Sequence, residues 1–156
     1  MSRSIEDTLA ETPFFQGIDA RIRDLLAADA REVRFEAGEQ IFRRGGPADT
    51  FFLLRQGTVA LEAYVPQHGP FLIETLEAGE VLGWSWLFAP YRWHFDARAL
   101  TPVTAFAFDA PRLRGLCHED TGLGCELMRR FAQIVIERLQ WTRLRLIDVY
   151  GNGERH

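Results

Sequence analysis

FEAGEQIFRRGGPADTFFLLRQGTVAL, Phe35 to Leu61, is the stretch on which the reading of the fold turns. Its apolar runs, Ile41-Phe42, Phe51 to Leu54 and Val59 to Leu61, are too short for helices and are separated by Gly38, by Gly45-Gly46-Pro47 and by Gly57. Short apolar runs between glycine or proline breaks are strand signals, and glycine supplies the positive φ that a tight corner needs. Moving outward, Thr58 to Val65 reads as a strand, Pro66 to Pro70 as a turn, and Phe71 to Leu76 as the strand that answers it in a hairpin. The glycine-glutamate break of Gly38-Glu39 recurs at Gly79-Glu80, and Ala97 to Leu100 and Val103 to Phe108 form two more strands about Pro102. Short strands at intervals of about ten residues predict an all-β sandwich or barrel, here about residues 31–109. Gly38, Gly57 and Gly79 are read as its corners.

Helices flank this region. Ser4-Ile5-Glu6-Asp7 has a cap and an acidic first turn, Pro13 ends that piece, and Asp19 caps a second helix over Ala20 to Ala28. After the last strand, Pro111 opens a short helix, and a long one is expected from about Gly124 to Tyr150, stopped by Gly151. Met128, Phe131, Val135, Leu139, Leu146 and Val149 lie along one stripe of that helix, and Leu127, Ile134 and Trp141 recur every seven residues on another. One stripe suffices to dock on the β-region. The second predicts a further apolar partner, so a homodimer is expected with Leu127, Phe131, Ile134 and Trp141 at its helix interface. The basic residues of this helix, Arg129, Arg130, Arg138, Arg143 and Arg145, are diluted by Glu126, Glu137 and Asp148 and read as a solvated or salt-bridged face.

Composition bounds the function. The 156 residues include 47% hydrophobic and 26% charged side chains with a net charge of -4, enough for one core and without a general affinity for polyanions. All 18 basic side chains counted with Lys are Arg, which excludes Schiff-base lysines and a phosphate-loop lysine. Cys117 and Cys125 are too few for a disulfide scaffold or a four-cysteine metal site. The polar, acidic start is unlike a signal peptide, and no apolar run reaches the ~20 residues of a membrane span, so a cytoplasmic location without membrane attachment is expected. His68, His94 and His118 are scattered rather than paired, and Gly83-Trp84-Ser85 is not followed by the glycine of a nucleophile elbow. Haem ligation by Cys117-His118 or His94 is conceivable, but a buried thiol and a surface histidine explain those residues. The chain is expected to have no catalytic residue, no metal and no cofactor, and not to be an enzyme.

The middle of the chain resembles the cyclic-nucleotide-binding domain family, shared by catabolite-activator-type regulators, kinase regulatory subunits and gated channels. Gly38-Glu39, Gly46-Pro47-Ala48-Asp49, Phe52-Leu53-Leu54, Gly57, Gly79-Glu80 and Ala97-Arg98-Ala99-Leu100 carry the likeness, which extends over about residues 13–150. It implies an antiparallel β-roll with N-terminal helices and a long C-terminal helix, all in one domain. It also implies a sensor whose pocket state is coupled to the long helix. Relatives that read DNA append a helix-turn-helix of about 20 further residues, whereas only Gly151 to His156 follow here, so direct DNA binding is not expected.

The resemblance also locates a ligand cassette, and there the chain departs from its family. Nucleotide-binding members have Phe-Gly-Glu, a short helix and an Arg about nine residues after the Glu. Helix-start amides and the Arg hold the cyclic phosphate, and the Glu accepts from the ribose 2′-hydroxyl. Here Gly83 is kept, Trp84 stands at the Glu position and Trp93 at the Arg position. Arg92 falls one residue early, on the opposite face of an extended segment. Two charge-assisted partners are missing, each worth ~1.5–3 kcal/mol, so cyclic AMP and cyclic GMP are disfavoured unless Arg92 substitutes. Two readings of Trp84, Trp86, Tyr91 and Trp93 remain: a cassette collapsed on its own aromatics in a protein-interaction module, or a pocket re-tooled for another small molecule. The second gives Trp84 and Trp93 the walls, Ser85 and the Gly83–Ser85 amides the polar anchor, and Arg92 an acidic group. Gly83, Trp84, Ser85, Trp86, Arg92 and Trp93 are thus the candidate site.

Overall fold

The computed structural model describes the backbone of residues 5–87 and 89–153, and the side chains of residues 5–87 and 89–140. Two helices, α1 (Ile5–Glu11) and α2 (Ala20–Asp29), flank a 3-10 turn at Pro13–Phe15. Eight strands follow: β1 (Arg31–Phe35), β2 (Gln40–Phe42), β3 (Thr50–Gln56), β4 (Val59–Val65), β5 (Gly69–Leu76), β6 (Val81–Leu82), β7 (Asp96–Ala99) and β8 (Val103–Asp109). Helices α3 (Ala110–Glu119) and α4 (Thr121–Gly153) end the described chain. The strands form two antiparallel four-stranded sheets, in the orders β1-β8-β3-β6 and β2-β7-β4-β5, which face each other as a β-roll.

Strand β3 explains why its sequence is a continuous apolar run rather than an alternating one. Phe51 and Leu53 point to a core shared with the helices, and Phe52 and Leu54 point into the roll. A strand buried on both faces needs apolar residues at every position. Strand β8 divides by size: Phe106 and Phe108 face the helices, while Ala105 and Ala107 face inward with Ala97 and Ala99 of β7. Small residues there let the sheets approach, and the larger aromatic volume fills the wider space under the helices. At the corner after β3, Gly57 has φ of 95°, and a Cβ there would lie 2.3 Å from the Pro102 carbonyl oxygen. Only glycine fits that position.

Local capping fixes the helix starts. Asp19 accepts from the Arg21 amide, and Asp109 accepts from the Arg112 amide with Pro111 in the first turn. The proposed Ser4 cap lies outside the described residues. Helix α4 begins three residues before Gly124, because Asp120 accepts from the Leu123 amide and opens the helix at Thr121. It continues past Gly151, since glycine permits an end without imposing one. Strand β5 begins at Gly69 rather than Phe71, its extra residues paired with Tyr64 and Val65; Pro70 is accommodated because β5 is an edge strand.

Helix α4 docks by Leu127 and Phe131, both fully buried, with Ile134 packed partly on the same core. This corrects the expected interface: Leu127 and Phe131 have no surface left for a partner, and Ile134 is turned largely to its own chain. The side chain of Trp141 lies outside the described residues. What α4 exposes instead is Met128, Ile136 and Leu139, at 40%, 50% and 61%. No helix among the described residues is long and apolar enough to cross a membrane.

Candidate functional site

The cassette runs from the end of β6 to the start of β7. Gly83 leaves β6 with φ of 100°, and a Cβ there would meet the Trp93 ring at 3.0 Å, so backbone shape and ring contact both demand glycine. A 3-10 turn, Ser85–Leu87, follows, and the chain then returns through Trp93 to β7. Trp93 is 6% exposed and stacks on Phe42 of β2, with ring centroids 3.8 Å apart and planes 9° apart. Trp84 is half-buried and stacks on His94 at 5.0 Å. Ser85 Oγ and His94 Nδ1 share a hydrogen bond of 2.9 Å. The space remaining among Gly83, Trp84, Ser85, Trp93 and His94 is about 10 Å³, room for one water.

The six candidate residues therefore separate. Gly83, Trp84, Ser85 and Trp93 converge on this small cavity. Trp86 does not: it is fully buried in the helix-side core, stacked on Phe51 at 5.0 Å and edge-on to Phe131 at 5.4 Å. It is a core residue, because successive side chains of a 3-10 turn point about 120° apart and Trp86 is turned away from Ser85 to the helix side. Arg92 is exposed, donates to the Gly45 carbonyl at 3.0 Å and is absent from the cavity wall. Its backbone pairs with Pro47, which holds it on the outer loop.

Phe42, Leu61, Phe95 and Arg138 are wall residues that escaped the sequence reading. Phe42 supplies the stacking partner of Trp93, a contact across the roll that no local pattern announces. Arg138 of α4 was read as part of a solvated or salt-bridged face; it is salt-bridged to Glu74, but at 9% exposed it is buried and reaches the cavity wall. A signal for it existed, since it follows Leu127, Phe131 and Ile134 at helical spacing on the buried face.

Arg138 also borders a second, larger space of about 480 Å³ between the Pro13–Phe15 turn, the β5–β6 corner and α4. Its Nη2 donates to the Val81 carbonyl at 2.9 Å, and its Nε lies 3.3 Å from Glu74 Oε2 as an ion pair. Burial lowers the Arg138 guanidinium from its ordinary value, against the pull of Glu74, Glu80 and Glu137. Burial likewise raises the Glu74 carboxyl, opposed by Arg138 and reinforced by Glu80 and Glu137. Among the described residues, no group of three or more His, Cys, Asp or Glu side chains is placed to hold a metal ion.

The model of the cyclic nucleotide-binding domain matches residues 32–120, more than half of the chain. The chain belongs to that family. It is 23% identical over 145 residues to the CRP-like cAMP-activated global transcriptional regulator of Mycobacterium tuberculosis, covering 93% of this chain and 63% of the regulator. The chain thus spans less than two thirds of that relative's length. A protein of Geobacter metallireducens described as cyclic nucleotide-binding is similar in structure, with a TM-score of 0.78, 28% identity, and coverage of 88% of this chain and 99% of that one. The regulatory subunit of a cAMP-independent protein kinase A from Trypanosoma brucei, a triple mutant with cAMP in its A site, shares the fold. Its TM-score is 0.68 at 19% identity, over 81% of this chain and 45% of that one. This cyclic nucleotide-binding domain is therefore of the regulatory, β-roll type, with the long α4 against the roll.

Proposed function

We propose that this domain is a non-enzymatic regulatory module whose cassette is filled by its own aromatic side chains and does not hold cyclic AMP or cyclic GMP in the usual way. The observation that carries this reading is the cavity of about 10 Å³ where a small-molecule site needs ~300 Å³ or more. Arg92, the remaining cation of the segment, is engaged with Gly45 on the outer loop. Phe42 and His94 each cover a face of the two indoles that a planar ligand would need, which favours the filled cassette over a re-tooled one. Calorimetric titration with cyclic AMP and cyclic GMP is expected to show no binding tighter than ~10 μM, about -7 kcal/mol. A tighter complex of either nucleotide overturns the proposal.

We infer also that the outward stripe of α4 pairs with a second copy of the chain. Met128, Ile136 and Leu139 are exposed on α4, and apolar residues continue in the sequence at Leu146 and Val149. Sedimentation equilibrium should give a dimer that Leu139→Glu converts to a folded monomer. A wild-type monomer at ~100 μM, or a dimer indifferent to that substitution, overturns this pairing.

A further inference from the structure

We propose that the seam of the roll between β1 and β2 is a docking site for an extended acidic peptide segment that anchors one bulky apolar side chain there. Each of these strands is the edge of its sheet, β1 paired with β8 and β2 with β7. The space between them is about 450 Å³, walled by Val33 and Phe35 of β1, Ile41 and Phe42 of β2, Phe52 and Trp93. Phe42 and Trp93 also wall the cassette, so their stacked rings separate the two spaces. The seam is open whether or not the cassette holds a ligand.

Charge decides what fits. Elsewhere among the described residues, each arginine side chain meets a carboxylate, a carbonyl or a ring, as Arg98 meets Glu62, Arg112 meets Asp29 and Arg114 meets Tyr91. Arg31, Arg34, Arg43 and Arg44 are exposed and have no such side-chain partner among the described residues. All of them belong to the seam. Arg31 and Arg34 line it, Arg31 on the strand face of Val33 and Phe35, and Arg43 and Arg44 follow Phe42 directly. The carboxylates beside them are fewer and engaged. Asp49 lines the seam and accepts from the Thr50 hydroxyl, Asp96 accepts from the Arg44 amide, and Glu32 is paired with Arg55. Glu36 and Glu39 turn the corner where the strands join, and Glu39 accepts from the Glu36 amide. Unpaired guanidiniums around an apolar trough, in a chain of net charge -4, select an acidic partner locally. The free strand edges offer N–H and C=O groups to an extended backbone, and the trough receives its anchor. A nucleic acid matches less well, because its charge runs along a backbone and this basic surface is confined to one seam.

The test uses the whole chain and fluorescein-labelled probes. They are the peptide Glu-Asp-Glu-Phe-Val-Glu-Asp, the same peptide with Ser in place of Phe, the same with Lys in place of every acidic residue, and an oligothymidylate. Fluorescence anisotropy should give the acidic peptide a Kd of about 100 μM, with the Ser form about ten-fold weaker and the Lys form undetected. The Val33 and Ile41 methyl resonances should shift on its addition. Arg31→Thr combined with Arg34→Thr, at exposed positions with a residue suited to strands, should weaken the peptide about ten-fold. Arg129→Ser, at an exposed arginine of α4, should leave it unchanged. The proposal is overturned if the acidic peptide fails to bind by ~1 mM, if the Ser or Lys form binds as tightly, or if the oligothymidylate binds tighter. It is also overturned if the β1 double variant binds like the wild type, if Arg129→Ser weakens binding equally, or if the Val33 and Ile41 signals do not move.

Discussion

Two spaces in this molecule share one wall and have opposite characters. The cassette, where the family grips its ligand, is closed to about 10 Å³ by stacked rings. The groove on the other side of Arg138 keeps about 480 Å³ between apolar residues such as Phe14, Leu76 and Ile134 and the charged Glu74, Glu80, Glu137, Arg130 and Arg138. On the reading proposed above, the indoles of Trp84 and Trp93 replace the charges that would hold a nucleotide and fill the room it would occupy. Neither effect reaches the groove, which keeps its room.

The largest expected effect comes from undoing the filling. Trp93→Ala removes a ring that is 6% exposed, stacked on Phe42 and in contact with Gly83. Truncation of a buried Trp costs about 3–5 kcal/mol from lost burial and the cavity left behind. Ile134→Ala, on the half-exposed wall of the groove, should cost about 1–2 kcal/mol, because the space it borders is already open. Urea denaturation of the two variants measures the contrast. Equal losses would mean that the cassette is no better packed than the groove.

Much of this arrangement was legible in the sequence, for reasons that are local. The run Phe51 to Leu54 between glycine breaks marks a strand buried on both faces, and Asp19 and Asp109 announce their helices by capping chemistry. The alignment of Gly83, Trp84 and Trp93 with the family's handles named residues that the fold brings to one small cavity. What was hidden depends on contacts distant in sequence. The stacking of Trp93 on Phe42 joins positions on either side of the roll. Trp86 resembles its neighbouring tryptophans in every compositional respect, and the 3-10 turn alone sends it to the helix-side core. Arg138 is instructive because two sequence signals conflicted there. Its charge argued for solvent, and its helical phase with Leu127, Phe131 and Ile134 argued for burial. Phase prevailed because Glu74 and the Val81 carbonyl were waiting on the roll to receive it.

Arg138→Gln sharpens the same contrast from the charged side, with a smaller effect. Removing one partner of a buried pair typically costs about 3–5 kcal/mol, but Glu74 is 20% exposed and able to take up a proton, so about 2 kcal/mol at pH 8 is expected here. The sign with pH is definite. Burial, with Glu80 and Glu137 nearby, already raises the Glu74 carboxyl, and loss of Arg138 raises it further. Ionised Glu74 then burdens the folded variant at high pH. As pH falls through its raised folded value, Glu74 becomes neutral and the burden is relieved. The stability gap between the wild type and Arg138→Gln should therefore narrow from pH 8 to pH 5 in urea denaturation, and Glu74→Gln in the same chain should restore most of the loss at pH 8. A gap that stays constant with pH would show that Arg138 acts by packing its stem rather than by balancing Glu74, and the charge contrast between groove and cassette would lose its basis.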